Sequence, residues 1–250
     1  MCSVRNLKNI TEETIKVNKT VVADTSTDST VAFIAPGPAN QPYSTTNVLY
    51  VGVTYTGNSE LPAVSSRSLL KEEILEITDK RATKIFLSQS ARGSYPIHYV
   101  YGFSSGGFSY FLTTQKRDTT VNSPYISKLV RVCQKDPHYD SYTEVPLECA
   151  TETGTKFPLV QAAHLVKPGL STGEDGDVLY SVFAQSTDDG ISNRPADRSA
   201  LCIYTLKSIR QKFMENIKNC YDGRGSSGYD FIMDPIGCKQ KVKGSPSSVY

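Results

Sequence analysis

The sequence predicts an all-β fold, either a sandwich or a propeller, on three observations. About ten short runs rich in Val, Ile, Thr, Tyr and Phe follow one another, each stopped by Gly, Pro, Ser, Asn or Asp. Tyrosine is frequent at 15 while tryptophan is absent, a bias that suits pleated, half-buried strands. The 250 residues are 38% hydrophobic and 21% charged, enough apolar surface for a packed core.

Taken in order, the first strand is Thr30 to Ala35, stopped by Pro36, Gly37 and Pro38. Val48 to Tyr55 follows, stopped by Gly57 and Asn58. Leu69 to Ile77 reads two ways, since its apolar positions also fit one helical face. Lys84 to Leu87 is a short strand. Ile97 to Phe103 and Phe108 to Thr114 flank Ser104, Ser105, Gly106 and Gly107, a four-residue hairpin loop with glycine free to take positive φ. Ile126 to Cys133, Tyr142 to Val145, Leu159 to His164, Val178 to Ala184 and Ala200 to Leu206 continue the series. The strands group loosely into 30–78, 84–133 and 142–206, as blades would. One helix is expected, because Leu206, Ile209, Phe213, Met214 and Ile217, at steps of three, four, one and three, read as one face. A Gly- and Ser-rich extension (223–228) and a lysine-dotted tail close the chain.

A net charge of +2 lacks the concentrated positive charge that nucleic-acid binding needs. No apolar run approaches the ~18 residues of a membrane-spanning helix. Residues 1–14 show no apolar stretch of a secretory leader. The cysteines are Cys2, Cys133, Cys149, Cys202, Cys220 and Cys238, with no C-x-x-C pair among them. Such wide spacing suits structural disulfides rather than a zinc or redox motif. The glycosylation triplets headed by Asn9 and Asn18 point to the same oxidising compartment.

Two catalytic motifs occur by spelling only. Gly102 to Gly106 spells G-x-S-x-G, but that chemistry needs a helix after the serine, and a strand follows instead. Gly223 to Gly228 spells G-x-G-x-x-G, yet it follows a helix rather than a strand. His98, His138 and His164 are isolated from one another in sequence. Asp188 with Asp189 and Glu174 with Asp175 lack the oxygen ladder of a calcium loop. No enzyme activity and no cofactor is expected. Lys239, Lys241 and Lys243 can face an acidic partner, though a solvated tail is the simpler reading.

Tyr99 to Phe103 (YVYGF) with Phe108 to Gln115 (FSYFLTTQ) resembles the third-blade hairpin of plexin sema domains. Lys128 to Cys133 (KLVRVC), Asp136 to Tyr142 (DPHYDSY) and Glu144 to Cys149 (EVPLEC) continue the likeness. So do Leu159 to Gly169, Asp177 to Phe183, Ser199 to Cys202 and Cys220 with Tyr221, all in the family's order. Glu144 to Cys149 and Asp197 to Ala200 are similar to the Met and Ron receptors as well, while the Asp136-Pro137 loop and Cys220 to Gly223 favour plexin.

The resemblance implies part of a seven-bladed β-propeller of the sema type, covering about blades two to four plus the extension after Cys202. Its partner would be a semaphorin, with a co-receptor or another receptor chain besides. Its place would be the extracellular part of a plasma-membrane receptor. The missing flanks make the chain a partial piece of such a protein. Plexin-like cysteines imply bridges Cys149 to Cys202 and Cys220 to Cys238, leaving Cys2 and Cys133 with partners beyond the segment. Semaphorin contacts of the family lie before Lys84 and after Cys238, which makes Lys239 and Lys241 the ligand-contact candidates. The competing readings are a Met- or Ron-like growth-factor receptor, a semaphorin itself, and a hydrolase using Ser104. The 16 residues from Cys133 to Cys149 are shorter than the semaphorin interval.

Overall fold

A computed structural model describes residues 2–17, 20–38, 46–57, 61–77, 83–167, 176–188 and 190–222. Two strands at the N-terminus, β1 (Cys2–Asn6) and β2 (Asn9–Val17), form an antiparallel hairpin whose side chains are mostly exposed. The reading of residues 1–14 as a plain polar segment missed this hairpin. Its turn carries no glycine, and the alternation that marks a half-buried strand is weak where neither face is covered.

Three antiparallel meanders follow. The first sheet runs β3 (Thr30–Pro36), β4 (Asn47–Val53), β5 (Val64–Arg67) and β6 (Lys84–Ile85). The second runs β7 (Ile97–Ser105), β8 (Phe108–Lys116), β9 (Tyr125–Cys133) and β10 (Thr143–Pro146). The third has β11 (Leu159–Val166), β12 (Val178–Ser186) and β13 (Pro195–Thr205). Helix α1 (Leu206–Tyr221) leaves directly from β13, with Thr205 Oγ1 capping it by accepting from the Ser208 N–H. Strand β5 was not expected. The ambiguous run after it holds a short 3-10 turn (Lys71–Glu73) and an isolated bridge from Arg67 to Ile77.

The sheets stack in chain order, β3 against β7 and β7 against β11. Between the first and second lies a core of Tyr50, Val64, Tyr99, Phe111, Val130 and Tyr142. Between the second sheet, the third and α1 lies another, with Tyr110, Leu112, Leu129, Leu179, Phe183 and Phe213. Phe111 thus faces one core while Tyr110 and Leu112 face the other, because successive strand residues point to opposite sides. A sheet covered on both faces needs no polar alternation. That accounts for the near-continuous runs FSYFLTTQ and KLVRV of β8 and β9.

Two glycines permit this close stacking. A Cβ on Gly52 would meet the Tyr99 ring at 2.4 Å, and one on Gly102 would meet Phe33 at 2.4 Å. Phe33 stacks on Tyr50 at 5.5 Å and meets Phe111 at a tilt, 5.3 Å between ring centroids. Polar cross-ties fix the same seam: the Tyr99 N–H donates to Ser29 Oγ at 2.6 Å, and Thr54 Oγ1 donates to the Ile97 carbonyl at 2.8 Å.

The β7–β8 turn is tighter than expected. Ser104 and Ser105 belong to β7, Ser105 pairs with Phe108, and only Gly106 and Gly107 turn the chain. Both have positive φ, 59° and 77°, as a two-residue type I′ hairpin requires.

Candidate ligand-binding surface

The buried polar groups of this fold clamp one element to another. Ser105 Oγ donates to Asp177 Oδ2 at 2.8 Å and accepts from Arg210 Nη2 at 2.8 Å. The Asp177 carbonyl also accepts from the first N–H of α1, at Leu206, at 2.9 Å. This clip joins the second sheet, the start of β12 and the helix, and it contains no histidine to act as a base. Ser104 sits across from Ser109 in a hairpin, so the strand-to-helix elbow of a serine hydrolase is absent from this motif.

The histidines stay apart. His98 is half-buried in β7, and burial holds its imidazole below the ordinary value. His138 and His164 are exposed. Among the described residues no cluster of His, Cys, Asp or Glu could hold a metal ion. Asp188 staples its own loop, accepting from the Ser192 N–H at 2.8 Å and from Ser186 Oγ at 2.9 Å. Those hydrogen bonds, the Ser192 backbone one first, hold its carboxyl below the usual range.

A second buried cluster lies in the second sheet. Lys128 Nζ donates to Glu144 Oε2 at 3.0 Å and to the Tyr95 hydroxyl at 3.2 Å. Tyr142 donates to the other Glu144 oxygen at 2.6 Å, and Tyr95 donates to Gln115 Oε1 at 2.9 Å. Burial, with the Glu144 charge second, raises the phenols of Tyr95, Tyr99 and Tyr142 above the ordinary value. Groups this enclosed lock the sheet and are closed to a ligand. Sequence reasoning also missed Arg131, whose guanidinium lies 4.4 Å from the Phe108 centroid and 4.4 Å from that of Phe213. An arginine inside the apolar run KLVRV was the available signal.

Two features of the described surface have room for a partner. A groove of about 690 Å³ opens between the second and third sheets, with Tyr125, Leu147 and Phe157 beside Arg117, Lys156 and Gln185. The outer face of the third sheet is apolar, with Leu201 59% and Ile203 57% exposed next to Tyr180 and Val182. No helix among the described residues is long and apolar enough to cross a membrane.

Cys149 and Cys202 form a disulfide with their Cα atoms 5.9 Å apart. Cys149 follows β10 of the second sheet and Cys202 lies in β13 of the third, so the bridge joins two sheets instead of two strands of one. Cys133 is a half-buried free thiol, and Cys220 is disulfide-bonded. Asn9 is exposed in β2. Asn18, Cys238, Lys239 and Lys241 lie outside the described residues, as does the side chain of Cys2.

The sequence profile of the Sema domain matches residues 160–248. Plexin A3 of Danio rerio is 35% identical over 211 residues, covering 74% of this chain and 11% of the relative. Plexin-A4 of Homo sapiens is 35% identical over 226 residues, covering 80% of this chain and again 11% of the relative. Among solved structures, the full extracellular region of plexin A4 superposes with a TM-score of 0.69 at 31% identity, over 84% of this chain and 25% of that one. The chain therefore spans about a tenth of the length of these full plexins. Stacked antiparallel meanders, plexin relatives at about one-third identity over most of the chain and a superposing plexin propeller agree: this chain belongs to the sema-domain family and stands there with the plexins.

Proposed function

We propose that this chain is an arc of the extracellular, ligand-binding propeller of a semaphorin receptor, with no catalytic step of its own. The observation that carries the reading is the joint match in sequence and architecture to the extracellular region of plexin A4. The three meanders are then consecutive blades, about the second to the fourth. A rigid radial stack of this kind presents outer edges and loops for a partner, and affinity comes from a large contact area with a few buried anchors. Lys239 and Lys241 remain the contact candidates on the extension after Cys238, where an acidic partner surface would meet them. Cys220 and Cys238 form the second bridge in this reading, while Cys2 and Cys133 take partners outside the segment. A co-receptor or another receptor chain is a further partner.

The apolar outer face of the third sheet supports the arc. Both seams bury a sheet face on the next sheet, and the face bearing Leu201 and Ile203 is the same kind of surface with no further sheet on it among the described residues. The test immobilises the complete extracellular region that contains this chain and passes semaphorin ectodomains over it. Saturable binding of a semaphorin is the expected result. Binding of a protease-like growth factor with no semaphorin binding would transfer the chain to the Met-like reading.

A further inference from the structure

The N-terminal hairpin presents a modification acceptor in a defined geometry. Asn9, Ile10 and Thr11 form the triplet Asn-x-Thr with no proline in the middle. The three residues open β2, immediately after the turn that joins it to β1, and all three are exposed. Thr11 Oγ1 donates to Asn9 Oδ1 at 2.7 Å, and the Thr11 N–H points to the same oxygen at 3.3 Å. Both donors meet the carbonyl oxygen, so the triplet's own contacts hold the amide group and leave its Nδ2 unused by them. That nitrogen makes no hydrogen bond with the described residues. Other asparagines spend theirs: Asn6 Nδ2 donates to Glu12 Oε2 at 3.1 Å, and Asn216 Nδ2 donates to the Glu144 carbonyl at 3.1 Å.

The turn beside the triplet is fixed by its own bonds. Arg5 Nη1 donates to the Ile10 carbonyl at 3.0 Å, and the Lys8 N–H donates to Asn6 Oδ1 at 3.0 Å. The Asn9–Thr11 contact spans only two residues, so a nascent chain can form it before the hairpin exists. In the folded hairpin an attached group at Asn9 displaces no packed side chain, because its neighbours Leu7 and Ile10 are themselves 96% and 69% exposed.

We infer that Asn9 is an N-glycosylation site, whose co-substrate is an oligosaccharide carried on a lipid pyrophosphate. In the transfer, Asn9 Nδ2 attacks the anomeric carbon and forms the N–C bond. The anomeric C–O bond breaks, the lipid pyrophosphate leaves with the bonding pair, and the proton lost from the amide nitrogen passes to a base of the transferase. The inference rests on the extracellular reading, since the donor is met only in the secretory lumen.

The test expresses the full 250-residue chain in secretory cells behind an added leader. The product, recovered from cells and medium alike, is treated with the amidase that releases N-glycans and leaves aspartate, in heavy-oxygen water, and mapped by peptide mass spectrometry. Mapping separates Asn9 from Asn18. The isotope tag is expected at Asn9 in the parent chain and in Thr11→Ser, and is expected to fall to background in Asn9→Gln and Thr11→Val. An untagged Asn9 in the parent chain overturns the site, and so does a tag that survives Thr11→Val. Because the leader imposes entry to the lumen, such a failure falls on the acceptor alone and not on the natural location of the protein.

Discussion

Small and buried residues set the spacing between neighbouring sheets. Gly52 and Gly102 face aromatic rings across one seam, where a methyl group would overlap Tyr99 or Phe33. Gly102→Ala in the complete extracellular region is expected to cost about 1–3 kcal/mol as overpacking, read as a lower midpoint of chemical unfolding. An unchanged midpoint would mean that the seam is looser than described. The tyrosines give a second prediction. Tyr95, Tyr99, Tyr139 and Tyr142 are buried, and burial raises each phenol above its ordinary value. Unfolded tyrosine loses its proton near pH ~10, before the folded form does. Their contribution is therefore intact below pH ~10 and falls as pH rises, by up to about 1.4 kcal/mol per pH unit for each tyrosine. Alkaline unfolding followed by circular dichroism, with tyrosinate absorbance appearing in the same transition, is the expected outcome. Tyrosinate absorbance that saturates before the fold is lost would contradict the burial.

At the scale of elements, helix α1 is held by one face. Leu206, Ile209 and Phe213 are buried, while Met214 and Ile217, expected on the same face, are exposed. Phe213 packs on Tyr110, with centroids 6.2 Å apart, and under the Arg131 guanidinium. Phe213→Ala is expected to cost about 3–5 kcal/mol and to raise hydrogen exchange across 206–221 above that of β12. Equal protection in both would show that the helix is anchored elsewhere. Strand positions with strong β-formers were readable before the structure: β3, β4, β7, β8, β9 and β12 lie where Val, Ile, Tyr and Phe concentrate. The helix was readable from its 3.6-residue stripe. Strand β5 (VSSR) was not, because its serines and arginine are buried by tertiary contacts: Arg67 Nε donates to Ser65 Oγ at 2.9 Å, away from solvent. The early start of β13 at Pro195 was hidden for the opposite reason. Its outer residues are polar and exposed, so no apolar pattern announces them.

At the scale of the molecule, spelling misleads where topology decides. The serine of G-x-S-x-G became part of a hairpin strand, and a glycine pair became its turn. The Cys149–Cys202 bridge closes 53 residues across two sheets, a closure worth about 4 kcal/mol on the chain-entropy account. Its two partners are the ones the resemblance to plexin sema domains implied, whereas composition and strand pattern alone do not single them out. Arg131 between two aromatic rings, and the Lys128–Glu144 pair beside three tyrosines, were likewise beyond reach, since neighbours on adjacent strands are set by register.

The central claim is that this chain is an arc of a plexin-type, semaphorin-binding propeller, and a chimera tests it. Residues 30–222 replace the matching arc in the extracellular region of plexin A4, and the secreted product is sized by sedimentation velocity and offered to a semaphorin that the parent binds. Residues 30–222 alone serve as the control, and they should self-associate through the free edge and apolar face of the third sheet. The account predicts a monodisperse, cooperatively melting chimera that binds the semaphorin saturably. An aggregated or retained chimera, alongside a control arc that is a stable monomer, would contradict it.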